Sequence, residues 1–170
     1  MSDLTNLLGA FCIGAGDLQN GAMVEAVGAD LTTVAALLCI YARPGSSVGD
    51  IAAATSVTHS GAVRVVDRLV VLGLVKRRQG PADRRIATLS CTPAGSKVAA
   101  HALDARRAAL DGLLATALPK KTDRQVALGI FERLLSSLHP QTRAEAWRIC
   151  RLCEHAVCIG DECPVGRSVP

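Results

Sequence analysis

Aromatic residues are scarce in this chain. Two Phe, one Tyr and one Trp make up 2% of its 170 residues. The core must therefore be built from Ala, Val, Leu and Ile, and the stacking platforms that grip single-stranded nucleic acid are largely excluded. Long hydrophobic runs are missing too. Long stretches without a charge, such as Leu4 to Gly16 and Leu31 to Ala42, fall short of the roughly 18 consecutive apolar residues that a membrane span needs. No basic N-terminal region precedes an apolar segment with a cleavage site, as a secretory signal requires. The expectation is a soluble, cytoplasmic chain without membrane contact. His59, His101, His139 and His155 have no Ser or Cys partner in a recognisable nucleophile motif, and no glycine loop is patterned to cradle phosphate. An enzyme is therefore not expected.

What the chain does have is apolar bulk and unevenly placed charge. Hydrophobic residues are 49% and charged residues 20%, with a mean hydropathy of +0.30. A disordered chain would be apolar-poor and highly charged. The length suits one domain, or one domain with an appendage, and allows a core of useful size. The formal net charge is +4, yet the segment from Arg64 to Arg85 alone carries +5, leaving −1 for everything else. Its basic residues are Arg64, Arg68, Lys76, Arg77, Arg78, Arg84 and Arg85, set against Asp67 and Asp83. Such a local excess is the electrostatic footprint of a polyanion partner, or else a solvated basic face.

The pattern is mostly helical. Leu4 to Gly28 is helix-compatible, but Gly9, Gly14, Gly16 and Gly21 either admit a close neighbour or mark a break. Asp30 predicts an N-cap for a helix from Leu31 to about Arg43, with Val34, Leu37, Leu38 and Tyr41 on one face. Ser46 or Ser47 caps a short helix, Val48 to Thr55. Thr58 caps the next, His59 to Leu72, whose buried stripe is Ala62, Val63, Val66, Leu69 and Val70, and Gly73 ends it at C′. His59, Ser60, Arg64, Asp67 and Arg68 fall on its other side. Two short helices joined by a tight turn, the second carrying polar and basic residues outward, form a helix-turn-helix. Leu74 to Arg78 and Arg84 to Cys91 read as strands around a turn, which makes a wing. Thr92-Pro93 opens a long helix that reaches about Leu118. Asp123 to Leu138 follows, with Val126, Ile130, Phe131, Leu134 and Leu135 as its stripe, and then Thr142 to about Leu152. The predicted class is mainly α: a winged helix-turn-helix with a small β-hairpin wing and N- and C-terminal dimerisation helices.

Between Asp50 and Gly95 stand Ile51-Ala52, Thr58-His59-Ser60-Gly61-Ala62-Val63, Arg64-Val65-Val66-Asp67-Arg68-Leu69, Gly73-Leu74-Val75-Lys76-Arg77, Asp83-Arg84-Arg85 and Leu89-Ser90-Cys91-Thr92-Pro93-Ala94-Gly95. In this set the chain resembles the MarR family of winged-helix transcription regulators, and the helix order extends the likeness over Leu4 to Leu138. The resemblance implies a homodimer on a pseudo-palindromic double-stranded DNA site, with half-sites about 34–36 Å apart or a multiple of this. Residues 1–148 would form the winged-helix domain, with 31–95 as its DNA-binding lobe and 1–30 and 96–148 as dimerisation helices. Residues 149–170 form a Cys-rich tail outside the family pattern.

Roles follow residue by residue from the resemblance. His59, Ser60, Arg64 and Arg68 face the major groove or its phosphates, although Arg68 has an ion pair as its alternative. Lys76, Arg77 and Arg78 touch phosphates. Arg84 and Arg85 lie at the wing, where arginine can enter the electronegative minor groove, and Asp83 holds an arginine by a salt bridge. Gly61 departs from the family, which commonly has a polar side chain there, and this removes one base contact. Family members often bind a small-molecule effector, phenolic or lipophilic, beside the DNA-binding lobe. Phe11, Tyr41 and Trp147 are the candidates to line such a cleft, or else ordinary core.

Seven cysteines are many for a cytosolic regulator of this size. Cys12, Cys39 and Cys91 sit in apolar surroundings and read as small buried hydrophobes. Cys150, Cys153, Cys158 and Cys163, followed by Pro164, supply four soft ligands in a short span. Structural zinc is favoured. An iron–sulfur cluster is the alternative, and redox thiols without any cofactor are a third reading. His155, between the ligands, replaces one of them or stays in solvent. The functional expectation is a sequence-specific DNA-binding regulator, a repressor, with a four-cysteine metal or redox site that modulates it. The competing reading is a metal-bound protein-interaction module in which the winged helix is scaffold.

Overall fold

The computed structural model describes residues 3–79, 87–157 and 163–166. The chain begins with helix α1 (Leu4–Val27), then α2 (Leu31–Ala42), α3 (Val48–Thr55) and α4 (His59–Val71). Two antiparallel strands follow, β1 (Val75–Gln79) and β2 (Ala87–Cys91), and then α5 (Pro93–Ala117), α6 (Lys121–Ser136) and α7 (Arg143–Cys150). Val75 pairs with Cys91 and Gln79 with Ala87, which sets the wing's register. This is the mainly α winged-helix class that the sequence predicts.

The helix starts lie where the capping chemistry puts them. The side chains of Asp30, Ser47, Thr58 and Thr92 accept backbone N–H bonds from Thr33, Asp50, Gly61 and Gly95 respectively. Each satisfies an amide that the first helical turn leaves orphaned. Ser47 and Asp50 form a reciprocal capping box, which helps a helix of only eight residues to hold its place.

The core sits around α2. Every residue from Thr33 to Ile40 is buried, so α2 is enclosed on all sides rather than along one stripe, and Tyr41, expected on a buried face, is exposed. Met23, Ile51, Val66, Leu69, Val75 and Leu89 close around it. As the composition requires, the cluster is almost wholly aliphatic.

Two expectations about helices change. α1 runs unbroken for 24 residues, and a Cβ built at Gly9, Gly14, Gly16 or Gly21 would meet nothing within 4 Å. These glycines neither break the helix nor admit a neighbour within the protomer. The apolar stripe of α6 is not buried: Val126, Leu128, Ile130, Phe131, Leu134 and Leu135 are exposed, as are Leu4, Leu7, Leu8 and Phe11 of α1. Phe11 and Phe131 meet with ring centroids 6.0 Å apart. No single described helix is long and apolar enough to cross a membrane.

The described part of the tail lies against the domain. α7 packs on α3 and Leu152 joins the core. The Cys39 thiol donates to the Arg151 carbonyl at 3.8 Å, and Arg107 of α5 pairs with Glu154.

Candidate nucleic-acid interface

α3, the turn at Ser56 and Val57, and α4 make a helix-turn-helix. Ser56 closes α3 in the left-handed region at φ 57, and Thr58 starts α4 two residues later. Thr58 accepts from the Gly61 amide at 3.1 Å and shares a hydrogen bond with the Ser60 hydroxyl at 3.2 Å. A Cβ at Gly61 would come within 3.2 Å of that Thr58 oxygen and 3.5 Å of Val57. The small residue thus lets α4 begin tight against the turn, which is a packing reason for the departure from the family pattern.

α4 buries Ala62, Val66 and Leu69 and turns His59, Ser60, Arg64, Asp67 and Arg68 to solvent. Two of the basic groups are held by carboxylates. Arg68 Nη1 donates to Asp30 Oδ2 at 2.7 Å and to Thr33 Oγ1 at 3.3 Å. Arg77 on β1 pairs with Asp67 of α4 at 2.8 Å. For Arg68 the ion-pair alternative is therefore realised. Both pairs stay at the surface, with side-chain exposures of 57% for Arg68 and 37% for Arg77. Each is worth only about 0.2–1 kcal/mol, but the pairs fasten α4 to the start of α2 and the wing strand to α4.

Asp30 does two jobs. It caps α2 and receives Arg68. Partial burial opposes its charge, but the two hydrogen bonds from Thr33 and the Arg68 guanidinium outweigh that, so its carboxyl titrates below the usual value. Sequence reading found Asp30 as a cap and missed it as a partner of Arg68, because nothing local connects residues 38 positions apart.

Among the described residues, Arg64, Lys76 and Arg78 enter no ion pair. Arg64 and Arg78 are exposed and Lys76 is half-buried. Asp83, Arg84 and Arg85 lie outside the described residues. The structure thus joins α4 and β1 through the Arg77–Asp67 pair, with the exposed Arg64 and Arg78 on these two elements.

Residues 28–86 match the sequence model of the MarR family. Over that region the chain resembles the MarR family, and the fold around it is a winged helix. It is similar to the YusO protein of Bacillus subtilis at 25% identity, covering 79% of this chain and 93% of that one with a TM-score of 0.64. Apo MarR from E. coli superposes with a TM-score of 0.67 at 18% identity, over 79% and 98% of the two chains. The transcriptional repressor CouR, solved bound to a 23-mer DNA duplex, does so with a TM-score of 0.60 at 23% identity, over 78% and 92%. No curated protein matches the chain.

Beside this winged-helix domain, the tail gathers cysteines. Cys153 and Cys163 are near enough to Cys150 to influence its titration, and Cys163 Sγ accepts from the Gly166 amide at 3.3 Å. The neighbouring Cys150 thiol lowers the Cys153 pKa against the opposing effect of burial, with Arg106 helping. The same proximity and burial push Cys150 up. Cys158 lies outside the described residues. No group of three or more His, Cys, Asp or Glu side chains among the described residues is arranged around a metal position. His155, read as a ligand or a solvent-exposed group, is half-buried, and burial lowers its pKa.

The remaining cysteines divide. Cys39 is buried and Cys91 half-buried, and burial pushes both up to about 11. Cys12, expected to be buried, is exposed because its stretch of α1 has no covering element in the protomer. Of the aromatic candidates, Phe11 is exposed and Trp147 lies under the Arg43 guanidinium, 3.8 Å from the ring centroid. Tyr41 lines a cavity of about 400 Å³ with Leu103, Asp104, Cys153, Glu154 and His155.

Proposed function

We propose that the protein is a homodimeric transcription regulator that reads a pseudo-palindromic duplex site through α4 and the wing, and represses by occupying it. The observation that carries this reading is the outer face of α4. His59, Ser60 and Arg64 project from a helix that Asp30 and Asp67 tie to its neighbours through Arg68 and Arg77. A helix fixed in this way presents its N-terminal residues to the major groove at a set angle, while Lys76 and Arg78 follow the adjoining backbone. A fold neighbour captured on a 23-mer duplex supports the same docking here.

Dimerisation is supported by the bare faces of α1 and α6. An apolar surface of this extent, with Leu4, Leu7, Leu8, Phe11, Leu128 and Phe131 all exposed, belongs in an interface. A two-fold pair then sets two copies of α4 one helical turn of DNA apart. The tail, which touches both the lobe and α5, is placed to modulate that spacing through a metal or redox centre.

Sedimentation and duplex binding test the reading together. A dimer in solution is expected. Its affinity for duplex fragments from upstream of its own gene should fall about 10³–10⁵-fold between 50 and 200 mM salt, as for six to ten phosphate contacts. A monomer, or binding indifferent to salt, would overturn the proposal.

A further inference from the structure

We propose that the cavity between α2, α5 and the C-terminal tail binds a small organic cation with an apolar body, a quaternary or protonated amine. Two helical stripes make its floor. Leu38, Tyr41 and Ala42 lie at i, i+3 and i+4 on α2, and Ala100, Leu103 and Asp104 do so on α5. Residues 153–156 of the tail make its roof. The space of about 400 Å³ lies within the range of about 300–1,000 Å³ that small-molecule sites occupy. Leu38 and Leu103 are buried, while Tyr41 and Asp104 stand at the exposed rim. The roof comes from the part of the chain outside the family resemblance, so the site is a feature of this chain and not of the winged helix in general.

The charge at the rim is negative. On α5, Asp104, Arg107 and Asp111 fall at i, i+3 and i+7, which puts them on one face. Arg107 pairs with Glu154 of the roof. Three carboxylates thus gather about one guanidinium, and Asp104 enters no ion pair among the described residues. Arg106, the neighbouring cation, is engaged with α1, where its Nε donates to Gln19 Oε1 at 2.8 Å. His155 in the roof is held toward its neutral form by burial and adds no competing charge.

Each group has a part in holding the ligand. Asp104 supplies the counter-charge. Tyr41 offers an aromatic ring, which attracts a cation within about 6 Å of its centroid. Leu38, Ala42, Ala100 and Leu103 cover the apolar body. A carboxylate or phenolate would meet Asp104 as a like charge. The roof is already tied on two sides: the Cys39 thiol of α2 donates to the Arg151 carbonyl at 3.8 Å, and Glu154 pairs with Arg107 of α5. A ligand between roof and floor ties them a third time. The site stands whether or not the chain reads DNA.

The test titrates the full chain with benzyltrimethylammonium chloride, with neopentylbenzene as the uncharged isostere and 2-hydroxybenzoate as a phenolic anion. Calorimetry should find one cation per chain with a dissociation constant of about 1 mM or below. The other two should bind about tenfold more weakly or not at all. Bound cation should raise Tm and slow trypsin cleavage after Arg151. Asp104→Asn and Tyr41→Ala should each weaken binding about tenfold while the ligand-free protein melts as the parent does, and Asp123→Asn on α6 should bind as the parent does. Absence of saturation by the cation at millimolar concentration would overturn the site. Equal binding of the uncharged isostere, or tighter binding of the anion, would overturn the charge selection. Unchanged proteolysis with the cation bound would overturn the part played by the roof.

Discussion

Replacing Gly95 by Ala is the sharpest test of how the lobe joins α5. Gly95 is the third residue of that helix, and its backbone lies directly on the chain at Leu74. An added Cβ would fall 1.9 Å from the Leu74 carbonyl oxygen and 2.8 Å from its carbon. The obstacle is backbone, so relief requires the start of α5 to move by more than an ångström. That movement would strain the junction that Thr92 holds. The Thr92 amide donates to the Leu74 carbonyl at 2.9 Å, and its hydroxyl donates to the Gly73 carbonyl at 2.7 Å while capping Gly95. Overpacking costs about 1–3 kcal/mol and occasionally more. Each weakened hydrogen bond adds about 1 kcal/mol, and the better helix propensity of Ala returns about 1 kcal/mol. The balance is a loss of roughly 2–4 kcal/mol, which for a chain of this size lowers Tm by roughly 4–16 °C. Calorimetry measures it directly. Gly49→Ala is the control: its Cβ meets only Ser47 Oγ at 3.5 Å, and it should be neutral or stabilise by up to about 1 kcal/mol. A Gly95→Ala protein melting within about 2 °C of the parent would refute the close approach.

Three other outcomes follow from the same geometry. Arg64→Ala should weaken duplex binding and reduce the salt slope by about two counterions per dimer, one for each copy, while leaving Tm unchanged, read by titration at several salt concentrations; a lowered Tm would mean that Arg64 is structural. Asp30→Ala removes a cap and the Arg68 pair, and should cost about 1–2 kcal/mol in denaturant unfolding. Because the folded Asp30 carboxyl titrates below its ordinary value, its contribution is present above the usual carboxylate range and disappears as pH falls through the folded value. The stability difference between parent and Asp30→Ala should therefore shrink in acid. Among the three cysteines outside the tail, Cys12, exposed on α1, should label first in alkylation at pH 8. Cys39 and Cys91, pushed up to about 11, are about one-thousandth thiolate at that pH and should label only on unfolding.

The sequence by itself determined where helices start and which way α4 faces. Asp30, Ser47, Thr58 and Thr92 cap amides within three residues of themselves, and Gly73, at φ 69, ends α4 where a side chain would be strained. Such signals are local, so a linear reading captures them. It also registered the Gly-Leu-Val and Thr-Pro-Ala-Gly signatures. Only the folded chain shows that they are two sides of one contact, where Thr92 and Gly95 close on Gly73 and Leu74.

Tertiary structure alone decided the rest, because those questions concern partners distant in sequence. An amphipathic stripe is the same whether its own core covers it, as at α4, or leaves it bare, as at α6. A positive patch does not say which guanidinium a carboxylate holds: Arg68 found Asp30, while Arg64 found no ion-pair partner among the described residues. Cysteine spacing shows that thiols can meet; that the tail carrying them lies against α2 through Arg151 and α5 through Glu154 depends on where the fold returns the end of the chain.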